Sequence, residues 1–166
     1  SGCNLDCAFC DTDFRHGTPM TEEEILAEVG SYPAPLVVVT GGEPSLQLTE
    51  SLVEGLRALG KRVAVETNGT HPLPAGVDWI TCSPKLAYVG AKGRVVLERV
   101  DELKVIYDGE HEVSDYGIHA DHYLLQPCDV GDPVRNREIL DETVDYVLAH
   151  PRWRLSLQQH KLLGVR

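Results

Sequence analysis

Short apolar runs rich in β-branched residues recur along this 166-residue chain, separated by stretches of helical pattern. That alternation restricts the fold more than any other feature. Residues 36–40 (LVVVT) form a continuous apolar run closed by Gly41-Gly42, the pattern of a buried strand in a parallel sheet. Residues 62–67, 79–82, 102–107, 122–126 and 153–157 complete six expected strands. Between them, residues 21–29 (TEEEILAEV) read as a helix with Thr21 as N-cap and Glu24 as the capping-box carboxylate. Residues 49–59 follow the same logic. Thr49 caps, Leu52, Val53, Leu56 and Leu59 form one apolar stripe, and Gly60 ends it. A third helix is expected over 136–149, stopped by Pro151, and a short fourth within 111–119. Strands alternating with helices imply a parallel sheet with right-handed crossovers. The polar motifs fall where the strands end, the edge at which open α/β sheets and barrels carry active sites. The expected class is α/β: a partial, incomplete TIM-like barrel of mostly parallel strands.

A hydrophobic content of 42% is enough for one globular domain over residues 1–166. Fifteen Lys and Arg stand against 26 Asp and Glu, a net charge of −11, which argues against a nucleic-acid partner because that needs a basic face. No apolar run reaches the roughly 18 residues of a membrane span. No signal-peptide pattern is visible, so the cytoplasm is the default location. The sequence opens Ser-Gly-Cys, and an anchoring strand ahead of that point is expected.

Cys3, Cys7 and Cys10 stand in the run CNLDCAFC. Three thiolates this close can hold one inorganic centre, yet they are one short of the four that close a structural zinc site or saturate an iron–sulfur cluster. A 4Fe–4S cubane held by three cysteines keeps one iron open. The other reading is zinc, with a fourth ligand from Cys82, Cys128 or one of seven histidines. Zinc ribbons usually show two separated CxxC-like pairs, and no second pair exists here. Five cysteines is an odd count, and a reducing compartment disfavours disulfides.

The remaining motifs are individually weak. Gly41-Gly42-Glu43-Pro44 lets the backbone approach a ligand closely, with Glu43 either ordering the loop or facing an ammonium; an ordinary turn is the alternative. Glu66, Asn68 and Gly69 offer a carboxylate and an amide suited to paired hydroxyls. Ser83-Pro84-Lys85 supplies a hydroxyl and an ammonium, and Gln126-Pro127 a two-way amide. Asp11, Thr12 and Asp13 place oxygen donors beside the triplet, suited to a hard cation such as Mg2+ or else to an Asx turn. His16, His71 and His150 show no ligand spacing and read as loop or surface residues.

In combination the motifs are specific. CxxxCxxC followed by GGEP resembles the radical S-adenosylmethionine (SAM) enzymes, in which the open iron chelates the amino and carboxylate groups of SAM. With CDTDF, ETNGT, SPK, LQP and the terminal SLQQHKLLG, the chain from Gly2 to Gly164 resembles the 7-carboxy-7-deazaguanine synthase family. That resemblance implies a ring contraction of 6-carboxy-5,6,7,8-tetrahydropterin with loss of ammonia, in queuosine and 7-deazapurine biosynthesis. It also implies a 4Fe–4S cluster on Cys3, Cys7 and Cys10, catalytic SAM, and Mg2+ on the Thr12 hydroxyl. SAM would touch Phe9, Cys10, Asp11, Gly41, Gly42, Glu43, Ser83, Pro84, Lys85, Gln126, Pro127, Cys128 and Asp129, with Glu66 and Asn68 near its ribose. Thr40, His160 and Arg166 would serve the pterin. A reductant such as flavodoxin or ferredoxin, a homodimer, and an upstream Gln-Gly-Glu-Gly loop followed by an Arg are implied as well. A glycyl-radical activase and a non-catalytic zinc module are the alternatives.

Overall fold

The computed structural model describes residues 2–14 and 16–164. Its six strands are β1 (Leu36–Val39), β2 (Arg62–Thr67), β3 (Trp79–Cys82), β4 (Arg99–Tyr107), β5 (His119–Pro127) and β6 (Trp153–Leu155). They form one sheet in sequential order, every neighbouring pair parallel. When order follows sequence and each crossover is right-handed, every connection passes over the same face, so the sheet coils toward a barrel. No pairing joins β1 to β6 among the described residues, and the barrel stays open.

The helices follow from their caps. Helix α1 (Glu22–Gly30) carries both bonds of the capping box, Glu24 N–H to Thr21 Oγ1 at 3.2 Å and Thr21 N–H to Glu24 Oε2 at 2.8 Å. Helix α2 (Glu50–Ala58) starts at the Thr49 cap, and Gly60, at φ 76°, follows its end. It buries Leu52, Val53 and Leu56 onto Val63 and Val65 of β2, each worth about 2 kcal/mol of apolar burial. Leu59, expected in that stripe, is 45% exposed: it lies past the last helical turn, where the chain leaves the sheet. Helix α4 (Pro133–Ala149) begins three residues earlier than expected, because Asp132 caps Val134 and Arg135 and Pro133 takes the first turn. It packs Ile139 and Thr143 against β5 and β6, beside a second core of Val100, Leu103, Val105, Leu125 and Trp153.

Two further expectations fail. Residues 111–119 hold no helix. Asp108 accepts from the Glu110 and His111 amides, Ser114 and Asp115 bond two residues onward, and Tyr116 sits at φ 53°, so local side-chain bonds outcompete the helix. Strand β1 is not buried on both faces. Val37 and Val39 pack under the helices, whereas Leu36 and Val38 are 51% and 49% exposed on the opposite face at the sheet's rim. Short helices α3 (Leu86–Val89) and α5 (Gln159–Leu163), with 3-10 turns at Pro44–Leu46 and Gly90–Gly93, complete the chain.

Candidate active site

On the face away from the helices, the strands present an inward row rather than a packed core. Register pairs Glu66 with Thr81 and Thr81 with Glu102, and pairs Ile106 with Gln126. This row, the strand-end turns, the loop at 3–12 and the tail at 156–161 enclose a cavity of about 580 Å3. Of the expected site residues it brings together Cys3, Cys7, Cys10, Phe9, Asp11, Thr12, Thr40, Gly41, Gly42, Glu66, Asn68, Ser83, Lys85, Gln126, Pro127, Cys128, Asp129 and His160. Pro84 is fully buried and does not line it. Arg166 lies outside the described residues.

Glu43 is the clearest case of a role decided by geometry. It is 3% exposed and off the cavity wall. Its carboxylate accepts from Thr67 Oγ1 and the Asn68 amide at 2.6 Å each, and from the Ser45 amide at 3.0 Å. It therefore orders the loop rather than facing a ligand's ammonium. The Glu43 N–H donates to the Gly2 carbonyl at 2.8 Å, which draws the start of the cysteine loop against the turn. A Cβ on Gly42 would stand 1.9 Å from that carbonyl oxygen, so only glycine fits.

Asn68 reaches the same loop, donating from Nδ2 to Asn4 Oδ1 at 2.9 Å while its Oδ1 accepts from the Thr70 amide and hydroxyl. Glu66 is paired with Lys104 at 2.9 Å. Lys85 donates to the Ser83 carbonyl and hydroxyl, and burial lowers its ammonium to about 8. Gln126 accepts weakly from the Ser156 hydroxyl at 3.4 Å.

The cysteine loop has little regular structure. The Cys10 amide bonds to the Cys7 carbonyl at 3.0 Å, which curls the loop around the three thiols. Burial raises the Cys7 thiol, Lys85 opposes this, and the charges of Cys10 and Cys3 raise it further. Three soft donors on one loop, opposite a glycine turn, fit a thiolate-held iron–sulfur cluster. The zinc reading needs a fourth ligand. Burial pushes the candidates Cys82 up to about 12 and Cys128 up to about 11, and raises Cys7 of the triplet as well. Among the described residues no three Cys, His, Asp or Glu side chains, the cysteine triplet included, are already drawn together around a metal-ion position.

After the triplet, the Asp11 carboxylate meets Lys161 Nζ at 2.6 Å and Gln158 Nε2 at 3.2 Å, which holds its carboxyl below the usual range. Asp13 accepts from the His16 amide and ring, the Asx-type alternative weighed above. His16 and His150 are exposed, and His71 is part-buried in a loop.

Several lining residues had not been expected. Glu102 and Lys104 flank buried Leu103, a period-two alternation that marks an inward polar row. Ser156, Gln158, Gln159 and Lys161 come from the SLQQHKLLG tail, which the family resemblance put near the pterin pocket without giving these four a role.

Comparison with known proteins agrees with this geometry. The Radical SAM superfamily profile matches residues 1–88. A 7-carboxy-7-deazaguanine synthase of Bacteroides thetaiotaomicron is 50% identical over 100% of this chain and 85% of its own length. One from Bordetella pertussis is 40% identical over 99% of this chain and 86% of its own. The crystal structure of QueE from Escherichia coli superposes with a TM-score of 0.70 at 26% identity, covering 95% of this chain and 82% of that one. SuiB of Streptococcus suis, at 14% identity and a TM-score of 0.55 over 94% of this chain and 45% of its own, shares the fold alone. The chain belongs to the 7-carboxy-7-deazaguanine synthase family of radical SAM enzymes.

Proposed function

We propose that this chain converts 6-carboxy-5,6,7,8-tetrahydropterin to 7-carboxy-7-deazaguanine with loss of ammonia, and that residues 1–166 act as one radical SAM domain. The observation that carries it is the single cavity of about 580 Å3 that joins the three thiols, the glycine turn, Lys85, Gln126 and His160. Cys3, Cys7 and Cys10 would hold a 4Fe–4S cluster, which when bound would supply the one-electron reduction on which SAM-dependent radical chemistry rests.

The rest is the work of the chain's own residues. The Gly41-Gly42 backbone receives the methionine end of SAM, Glu66 and Asn68 face the ribose hydroxyls, and Gln126 to Asp129 meet the adenine. Lys85 offers its ammonium to a carboxylate. Thr40 and His160 bound the pterin, and the Thr12 hydroxyl takes Mg2+, which prefers oxygen ligands. The protein works as a homodimer reduced by a flavodoxin or ferredoxin. No helix among the described residues is long and apolar enough to cross a membrane.

Ring contraction with loss of ammonia is redox-neutral, so the abstracted hydrogen can return and SAM is regenerated. The test is anaerobic turnover of pterin deuterated at C6. The expected result is deazaguanine product, slow SAM consumption, and deuterium in recovered SAM. One-for-one SAM consumption with no returned deuterium would overturn the reading.

A further inference from the structure

We infer that Lys161 is a positioning residue, which ties the loop carrying Cys10 and Thr12 to the far wall of the cavity. The inference rests on the function proposed above. Lys161 Nζ lies 2.6 Å from Asp11 Oδ2 and 2.7 Å from Asp129 Oδ2. Asp11 directly follows Cys10, and Asp129 closes the segment after β5, so one ammonium joins two walls that are far apart in sequence.

The two anchors differ in stiffness. Asp129 is itself fixed by Asn136 of α4 at 2.7 Å and by the Gly131 amide at 3.0 Å. Asp11 lies in a segment without helix or strand, and its remaining side-chain bond is from Gln158, also in the tail. Position therefore passes from α4 through Asp129 and Lys161 to Asp11, and on to Thr12 beside it. His160 lines the cavity from the same short helix, so this contact also sets the height of that imidazole. An ammonium on a flexible stem can serve two carboxylates at once because it is a compact charge with three donors. Both pairs are about a third exposed or more, so each adds little to global stability and the effect falls on site geometry.

The test compares Lys161→Met and Lys161→Arg in the iron-loaded enzyme. For Lys161→Met we expect KM for the pterin to rise roughly 5-fold. We also expect more 5′-deoxyadenosine per product, because a loosened loop lets SAM cleave without a positioned substrate. Lys161→Arg should restore much of both, and iron content and melting temperature should match wild type. Amide exchange over residues 158–164 should rise in the Met variant and stay low in the Arg variant, a readout independent of turnover. Unchanged KM, cleavage ratio or exchange in the Met variant overturns the assignment. So does a loss of iron with a lowered melting temperature, which would make Lys161 a general structural residue. A wild-type enzyme that makes no deazaguanine would instead sink the proposed function, while the exchange comparison still judges Lys161.

Discussion

The glycine turn at 41–44 and the cysteine loop at 3–12 face each other across one backbone hydrogen bond, yet they are held in different ways. The turn is saturated by the protein: Glu43 is buried, with three donors on its carboxylate, two of them from the end of β2 and the residue after it. The loop is tied at its start by Gly2 and Asn4 and at its far end by Asp11, while between these its hydrogen bonds among the described residues are short-range. One wall is fixed by folding alone. The other is held by buried Leu5 and by the Phe9 ring edge-on to Tyr88, with little hydrogen bonding around its three thiols, where metal binding can complete the local fold.

The sharpest way to break that contrast is Cys7→Ala. It should abolish SAM cleavage, read as 5′-deoxyadenosine after anaerobic reconstitution, while the metal-free protein melts within about 2 °C of wild type. A large fall in the metal-free melting temperature would show that the loop is part of the folded framework after all.

Glu43→Ala should do the reverse and strike stability. It strips three donors of their acceptor, at about 1 kcal/mol each, so the variant should lose about 3 kcal/mol in urea unfolding. Glu43→Gln should keep part of this through its one amide oxygen. A Glu43→Ala protein as stable as wild type would mean that the turn is not self-supporting.

Thr12→Ala probes the loop without removing a thiol. Mg2+ should stimulate turnover with about tenfold weaker apparent affinity, iron content should stay unchanged, and Thr12→Ser should recover most of the effect. An identical Mg2+ response would move the cation elsewhere.

The smallest effect concerns pH. The hydrogen bond from Lys161, then those from Gly131 and Asn136, lower the Asp129 carboxyl to about 2. A carboxylate depressed on folding contributes stability that is whole above its unfolded value of about 4 and lost as pH falls toward about 2. Asp129→Asn should therefore lower urea stability most near neutrality, flatten the acid limb in that window, and converge on wild type as pH falls toward about 2. Parallel limbs for both proteins would remove Asp129 from the account.

Legibility in the sequence followed the range of the forces involved. Strands β2 and β3 were readable to the residue, because β-branched runs and the turn residues after them are local signals. Strands β4 and β5 extend further back than the apolar pattern showed, since Arg99 and Asp121, polar at the near ends, pair with each other across the ladder. The exposed face of β1 was hidden because LVVV states that four residues are apolar, not how many layers cover them. Most of the expected site residues share the cavity, since the motifs at 40–42, 66–68, 83–85 and 126–129 mark strand ends that parallel topology gathers, with the cysteine loop and the tail closing over them. The resemblance marked the tail that carries Lys161 but not its contacts, because its partners stand 150 and 32 positions away.

The contact at Gly42 also limits how such a site can be rebuilt. A methyl group there would collide with the Gly2 carbonyl, and the next residue's amide grips that same oxygen. The two segments therefore form one interlocking part, not two modules. Grafting the cysteine loop onto another sheet would require the turn to travel with it, and recombination breakpoints between residues 2 and 43 should yield chains that have both halves but no seat between them.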